Sequence, residues 1–506
     1  MVNAISFNVS NRILIILGVV GGILVFGAVF LGFKIIPDAV TTKLWETKVL
    51  KENTQQWDIF VKTPFPFIFK VYVYDVQNPD EILQGAKPVV KEVGPFVYKV
   101  YKWKGEIEWA TPDEIAYNAY TRFEFDKEAS GIYSDDTVVT ILNSMYYSVL
   151  LKIEDTQPEA MGIVEPALPS IFGENDGMFT KVKVKDYLFE GLKFCEDEGK
   201  SGGFAAVMFC KQVIGKLSES KNLRLENKTV LFANLYYKNN THLGRFTVKS
   251  GQKSREEAGI LTLYNEKEYI STWAGGKSTC NKIGGVTTVF PANIKPDMEF
   301  VSYAEDICRS VALTYDSDEV VKGLKGLKFV AKNDTFSSTK KENLCFCLNK
   351  TKTFDGNQTE CAKDGITDLT SCTGGPVMVS FPHLLYGDKE YQETVIGMEA
   401  NTMKHQSFII LEELSGLPLY AAQRIQFNMF LRPVEGMESL ANMSKALMPL
   451  IWVEESLIIE DKYISLLQES LFKTLSTVNI LKWFVIVIGV ACLLISALTL
   501  IYRQAP

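Results

Sequence analysis

The sequence predicts a mainly β ectodomain with an α-helical insert, anchored to a bilayer by one helix at each end. Three observations lead there: an uncharged apolar run near each terminus, strand signals through most of the intervening chain, and helical periodicity concentrated in residues 134–195. Apolar residues make up 47% of the 506-residue chain and aromatics 12%, enough for a large core. The net charge of −7 leaves no basic footprint for nucleic acid, so none is expected as a partner.

Residues 1–12 form a short tail. Residues 13–33, ILIILGVVGGILVFGAVFLGF, carry no charge between Arg12 and Lys34. At ~1.5 Å per residue such a run crosses a ~30 Å hydrocarbon core. It outruns a signal-peptide apolar region and holds its small residues inside itself, so an uncleaved anchor is expected. The second run, residues 483–502 (WFVIVIGVACLLISALTLIY), lies between Lys482 and Arg503. Two spans put the tails 1–12 and 503–506 on one side and residues 34–482 on the other. Gly18 and Gly22 form a G-x-x-x-G, and Ala28 and Gly32 a second small pair. Such spacing suits close helix packing, with Gly489 able to receive it, although membrane helices are rich in glycine in any case.

The basic residues flanking the spans do not decide orientation, so other signals must. Glycosylation triplets occur at Asn227, Asn239, Asn333, Asn349, Asn357 and Asn442, all within residues 34–482, and at Asn8 in the tail. Eight cysteines share the same segment (Cys195, Cys210, Cys280, Cys308, Cys345, Cys347, Cys361, Cys372), whereas Cys492 lies in the second span. The last four of the eight run C-x-C-x13-C-x10-C, which is not a zinc-type pair of C-x2-C motifs. An even set of cysteines among glycan triplets indicates disulfides in an oxidising compartment, hence an extracellular loop. No linker, charge run or repeat divides it, so one domain is expected.

Within the loop, PFPFIFKVYVYDV (64–76) is aromatic and β-branched and stops at Gln77-Asn78-Pro79, as a strand does. Residues 407–433 read as two strands around a Ser415-Gly416 turn. There Ile425, Phe427 and Met429 alternate with Arg424, Gln426 and Asn428, the pattern of a half-buried strand. A helix is expected from a cap at Ser134 through Leu142, Met145, Tyr146 and Leu150, and a second amphipathic helix over 182–194. The apolar stripes of these helices serve either core packing or a ligand entrance.

Catalytic signatures are absent: there is no H-E-x-x-H, G-x-S-x-G or phosphate-binding loop. Of the three histidines, His242, His383 and His405, His383 lies in the apolar SFPHLLYG and reads as a satisfied core residue rather than a base. No enzyme activity, metal or cofactor is expected.

VYVYDVQNPDEILQGAKPVVKEVGPFVYKVYKWK (71–104), TVFPANIKPDMEFVSYAEDICRSVAL, the C-F-C stretch, FPHLLYG and SGLPLYAAQRIQFNMFL follow one another in the order of the class B scavenger receptor family. The chain resembles that family over essentially its whole length. Within it, FEGLKFC followed by Cys210, and VEESLII after MPLIW, resemble the insect sensory neuron membrane protein branch. The resemblance implies a large irregular antiparallel β-barrel ectodomain with an apolar tunnel and an apical helical bundle, here about residues 134–195. It also implies disulfides Cys280–Cys345, Cys308–Cys372, Cys347–Cys361 and Cys195–Cys210. Candidate ligand contacts in the cap are Leu142, Met145, Tyr146, Phe172, Met178 and Phe179.

One departure bears on the ligand. Scavenger members place lysines before the M-F of the cap, whereas this chain has SIFGENDGMF with Glu174 and Asp176. These acids either oppose anionic lipids and favour neutral apolar ligands, or merely solvate a loop. The implied function is a non-enzymatic plasma-membrane co-receptor of insect olfaction, in neuronal cilia or antennal support cells. It would take a hydrophobic lipid-derived odorant and pass it through the tunnel to an odorant receptor complex in the same bilayer. The alternative is a general scavenger receptor for fatty acid, carotenoid or lipoprotein uptake.

Overall fold

A computed structural model describes residues 10–347, 351–354, 358–359 and 361–504; Asn8, Asn349 and Asn357 lie outside the described residues. A 14-stranded antiparallel sheet dominates. Its main path uses β1 (Phe67–Val76), β2 (Val90–Thr111), β3 (Glu114–Phe125), β4 (Thr241–Lys249), β5 (Ile260–Tyr264) and β6 (Gly285–Val286). It continues with β7 (Glu299–Ala304), β8 (Arg309–Val321), β9 (Leu324–Ala331), β10 (Phe408–Glu412), β11 (Pro418–Leu431) and β12 (Ala446–Ile458). The order is β6-β5-β4-β3-β2-β1-β12-β11-β10-β9-β8-β7. The path almost closes on itself. Gly285 in β6, at φ +100°, lies so near β7 that a methyl group on it would fall 2.0 Å from the Val301 carbonyl oxygen. The sheet is a nearly closed antiparallel barrel.

Alternation decides what each strand buries. In β1, Phe69, Val71 and Val73 are buried inside, where Val71 lies between Phe96 of β2 and Val453 of β12. The Ser415-Gly416 turn joins β10 to β11, and Gly416 adopts φ +63° against the Pro291 backbone. β11 departs from the half-buried pattern: Arg424, Gln426 and Asn428 are as buried as Ile425 and Met429. Their polar face is roofed by residues 378–406 and hydrogen-bonded there, so exposure is not what the polarity meant.

Four longer helices matter: α1 (Asn11–Glu46), α2 (Ser144–Thr156), α3 (Gly203–Gly215) and α4 (Asp461–Arg503). The cap departs from its sequence reading at two places. α2 starts at Asn143, whose side chain accepts from the Tyr146 N–H, because the β-branched VVTIL before it pairs as strand Val138–Leu142 with Phe179–Lys183. The helix expected over 182–194 is instead the end of that second strand, a helical stretch over 184–190 that finishes as a π turn, and strand Leu192–Phe194. Helical structure also continues past residue 195, since α3 packs beneath the short helix Leu168–Phe172. The bonds Cys195–Cys210, Cys280–Cys345, Cys308–Cys372 and Cys347–Cys361 are formed, and Cys492 is free.

Both α1 and α4 are long and apolar enough to cross a membrane. They pack antiparallel, and Arg503 reaches the Asn11 side chain at 3.0 Å. Gly489 receives α1 at Gly21, where a methyl group would meet the Gly489 carbonyl at 2.7 Å. Gly18 faces Ser496 and Gly32 faces Lys482, but Gly22 meets nothing within 4 Å. Contacts therefore recur at Gly18, Gly21 and Val25, a register the G-x-x-x-G at 18 and 22 does not describe.

Candidate functional site

The six cap residues come together. Leu142 pairs with Phe179 across the two-stranded sheet, Tyr146 packs on Phe172 with ring centroids 4.9 Å apart, and Phe172 stacks on Phe194 at 5.7 Å. Leu142, Tyr146, Phe172 and Met178 are buried in one apolar cluster with the inner residues of α2, while Met145 and Phe179 are half-buried at its edge. Asn143 braces this arrangement by donating to the Asn175 carbonyl at 2.7 Å. Of the six, only Met145 and Phe179 retain appreciable accessible surface.

Below the cap the barrel interior is lined with aromatic rings. Phe69, Tyr98, Phe123, Phe125 and Phe189 form a chain with neighbouring centroids 5.2–5.4 Å apart. The β2–β3 register Tyr98↔Phe125, Val100↔Phe123, Lys102↔Thr121 and Lys104↔Ala119 puts all of these side chains on the inner face. Phe123, Phe125 and Phe189 stay half-buried although they point inward, and among the described residues the buried Tyr98 hydroxyl has no hydrogen-bond partner. An inner wall with unfilled contacts of this kind suits a long apolar guest.

Towards the two terminal apolar helices the inner face becomes charged. Lys102 pairs with Glu455 of β12 at 2.5 Å. Lys104 donates to the Phe60 carbonyl at 2.5 Å and sits 4.3 Å above the Phe60 ring and 5.1 Å from the Tyr117 ring. Burial, helped by the Lys102 charge, pushes the Lys104 ammonium down to about 7. Burial and the neighbouring Asp306 charge push the Glu305 carboxyl up. Asp306 itself is held low, because the charge and hydrogen bond of Lys238 outweigh its burial. Sequence reasoning missed these lysines. The signal was present: in Y-K-V-Y-K-W-K, Lys102 and Lys104 share strand parity with Tyr98 and Val100, the apolar face.

Where the barrel meets the helices, Gly32, Ile36, Val40, Leu44, Leu414 and Leu475 line a mainly apolar groove of about 220 Å³. A separate depression of about 720 Å³ lies at the cap–barrel junction, but its walls carry Glu154, Lys352, Arg432 and Glu435. Its polarity suits water better than an apolar chain.

The roof over β11 holds a buried polar cluster that sequence reasoning also missed, apart from reading His383 as satisfied. His383 Nδ1 accepts from the Glu399 N–H at 2.8 Å, so its proton resides on Nε2, 2.6 Å from Glu92 Oε2. The same carboxylate oxygen accepts from the Trp452 indole at 2.7 Å. Burial alone would raise Glu92, but these two donors outweigh it and hold the carboxyl below the usual range. His405 stacks on His383 at 4.3 Å and accepts from the Asn401 N–H at Nδ1, 3.0 Å away. Burial and the His383 ring push His405 down to about 4. Beside them Glu454 binds Lys70 and Arg424, each at 2.7 Å. Among the described residues no group of three or more His, Cys, Asp or Glu side chains is arranged to hold a metal ion.

Of the glycosylation triplets, Asn227, Asn333 and Asn442 are exposed, and Asn239 is half-buried with its Oδ1 accepting from the Phe123 N–H.

A profile of the CD36 family matches residues 19–500. Sensory neuron membrane protein 1 of Apis mellifera is 30% identical over 491 residues, covering 96% of this chain and 91% of the relative. Sensory neuron membrane protein 2 of Anopheles gambiae is 27% identical over 538 residues, covering 96% and 92%. Sensory neuron membrane protein 2 of Drosophila melanogaster is 28% identical over 528 residues, covering 92% and 94%.

Proposed function

The chain belongs to the CD36 family, a family of scavenger receptors, and we propose that this member hands lipid-derived odorants to a receptor in the same membrane. In this reading residues 34–482 lie outside the cell, the spans 13–33 and 483–502 hold the barrel on a plasma membrane, and the tails 1–12 and 503–506 are cytoplasmic. A neutral long-chain ligand such as a pheromone enters beside Met145 and Phe179 and moves down the aromatic inner wall. It leaves at the groove between the barrel and the two helices, where an odorant receptor takes it up in sensory cilia or antennal tissue. Moving inside the barrel spares the ligand its contact with water.

The observation that carries this reading is the half-buried aromatic row inside the barrel, set between an apolar cap and two membrane-length helices. The names of the relatives favour a sensory setting over general lipid uptake. Ala119 faces inward opposite Lys104, so Ala119→Trp should obstruct the interior. Cells co-expressing that variant with an odorant receptor should lose at least about tenfold in ligand sensitivity, equal to ~1.4 kcal/mol of transfer free energy, at unchanged surface expression. A full response from a verified surface variant rules the conduit out. Uptake of labelled fatty acid by cells lacking any receptor would point instead to scavenging.

A further inference from the structure

We propose that Lys104 captures apolar aldehydes inside the barrel as a reversible imine. The inference rests on the proposed function only for the class of guest, a neutral lipid-derived chain.

The geometry of Lys104 is unusual for a buried cation. Among the described residues no carboxylate lies within ion-pair distance of it, although Lys102, two residues away on the same face, has Glu455. Its ammonium instead meets one carbonyl oxygen, from Phe60, and two aromatic rings. Buried charges are ordinarily paired, so this site favours the neutral amine. The side chain is nonetheless only half-buried by surface area while burial dominates its protonation. Its accessible surface therefore faces the enclosed interior and not bulk water. Facing it are Lys102 on its own strand, Tyr117 on β3 and the Phe60 carbonyl on helix Gln55–Val61. Glu305, which also acts on Tyr117, lies beyond.

These facts select the guest's reactive group. At pH 7 Lys104 holds on the order of 10³ times more free amine than an exposed lysine. An aldehyde carbon accepts that amine: the nitrogen lone pair forms a C–N bond and one nitrogen proton passes to the oxygen. The C–O bond of this carbinolamine then breaks as the remaining nitrogen proton joins the departing hydroxyl, water leaves, and the C=N bond forms. No oxidant or reductant is needed, and water reverses the step. An alcohol of the same length offers no electrophilic carbon and passes without bonding. A carboxylate meets Glu455 and Glu305 on the way and Glu174 and Asp176 at the cap.

The test uses the full-length protein in detergent with hexadecanal and sodium cyanoborohydride near pH 7, followed by peptide mapping. The reduced adduct should form on Lys104 at about tenfold or more above any exposed lysine such as Lys332, and hexadecanol in excess should suppress it. Lys104→Arg should remove the adduct while leaving surface expression and tryptophan fluorescence unchanged. Adducts spread evenly over exposed lysines, or a folded protein unlabelled at Lys104, overturn the proposal. Failure of the conduit is read separately, from hexadecanol or hexadecyl acetate responses in cells carrying the parent protein or Ala119→Trp, because neither ligand uses the imine.

Discussion

The buried His405 over β11 should make the stability of this protein sensitive to acid. His405 titrates near 6.5 when unfolded and at about 4 in the folded chain, because it is buried and stacked on His383. Above pH 6.5 both states are neutral and nothing is lost. As pH falls below 6.5 the unfolded chain takes up a proton that the native one refuses, so stability drops until about pH 4. At ~1.4 kcal/mol per unit, the native state loses about 2 kcal/mol between pH 7.5 and pH 5 and about 3 kcal/mol in full. Protonation at Nδ1 would also break the bond from the Asn401 N–H, which closes the 401–405 turn on itself. Urea unfolding of the full-length protein in detergent, followed by the fluorescence of Trp452 and its fellows, should show a midpoint lower by roughly 0.5 M at the acidic pH. His405→Asn offers an oxygen where Nδ1 stood and cannot titrate, so it should abolish most of the difference. An unchanged midpoint in the parent protein, or a full shift retained in His405→Asn, refutes the reasoning.

Two other expectations concern the cap and the membrane helices. Replacing both Cys195 and Cys210 by Ser opens a loop of sequence separation 15 and should cost ~3 kcal/mol, seen as faster proteolysis between residues 195 and 215. Equal cleavage rates would show that packing of α3 alone holds the cap. Gly489→Leu forces a side chain against Gly21 and Val25 and should cost ~1–3 kcal/mol of helix pairing. Cysteines placed at Leu14 and Ser496, now joined through a 2.7 Å hydrogen bond, should then cross-link less readily, and undiminished cross-linking would contradict the packing described.

Some of this architecture was legible from residues alone. An uncharged run of about twenty residues forms a helix long and apolar enough to cross a bilayer, so both terminal apolar helices could be read without any tertiary information. The strand 64–76 and the turn at Ser415-Gly416 were legible for a similar reason, since side-chain shape and glycine act locally. The start of α2 was not. VVTIL and the helix beyond it share an apolar periodicity, and only pairing with Phe179–Lys183 turns the first into a strand. Alternation along β2 and β11 shows which residues share a face, but not which face is inside. That choice depends on where a sheet closes and what roofs it, both set by contacts hundreds of residues apart. Closure sends Lys104 inward, onto an aromatic wall, and the roof over β11 turns Arg424, Gln426 and Asn428 from a surface into a core. The sequence by itself determined the anchors, the strand content and the cysteine supply. Barrel closure alone decided which polar groups would lie beyond the reach of water.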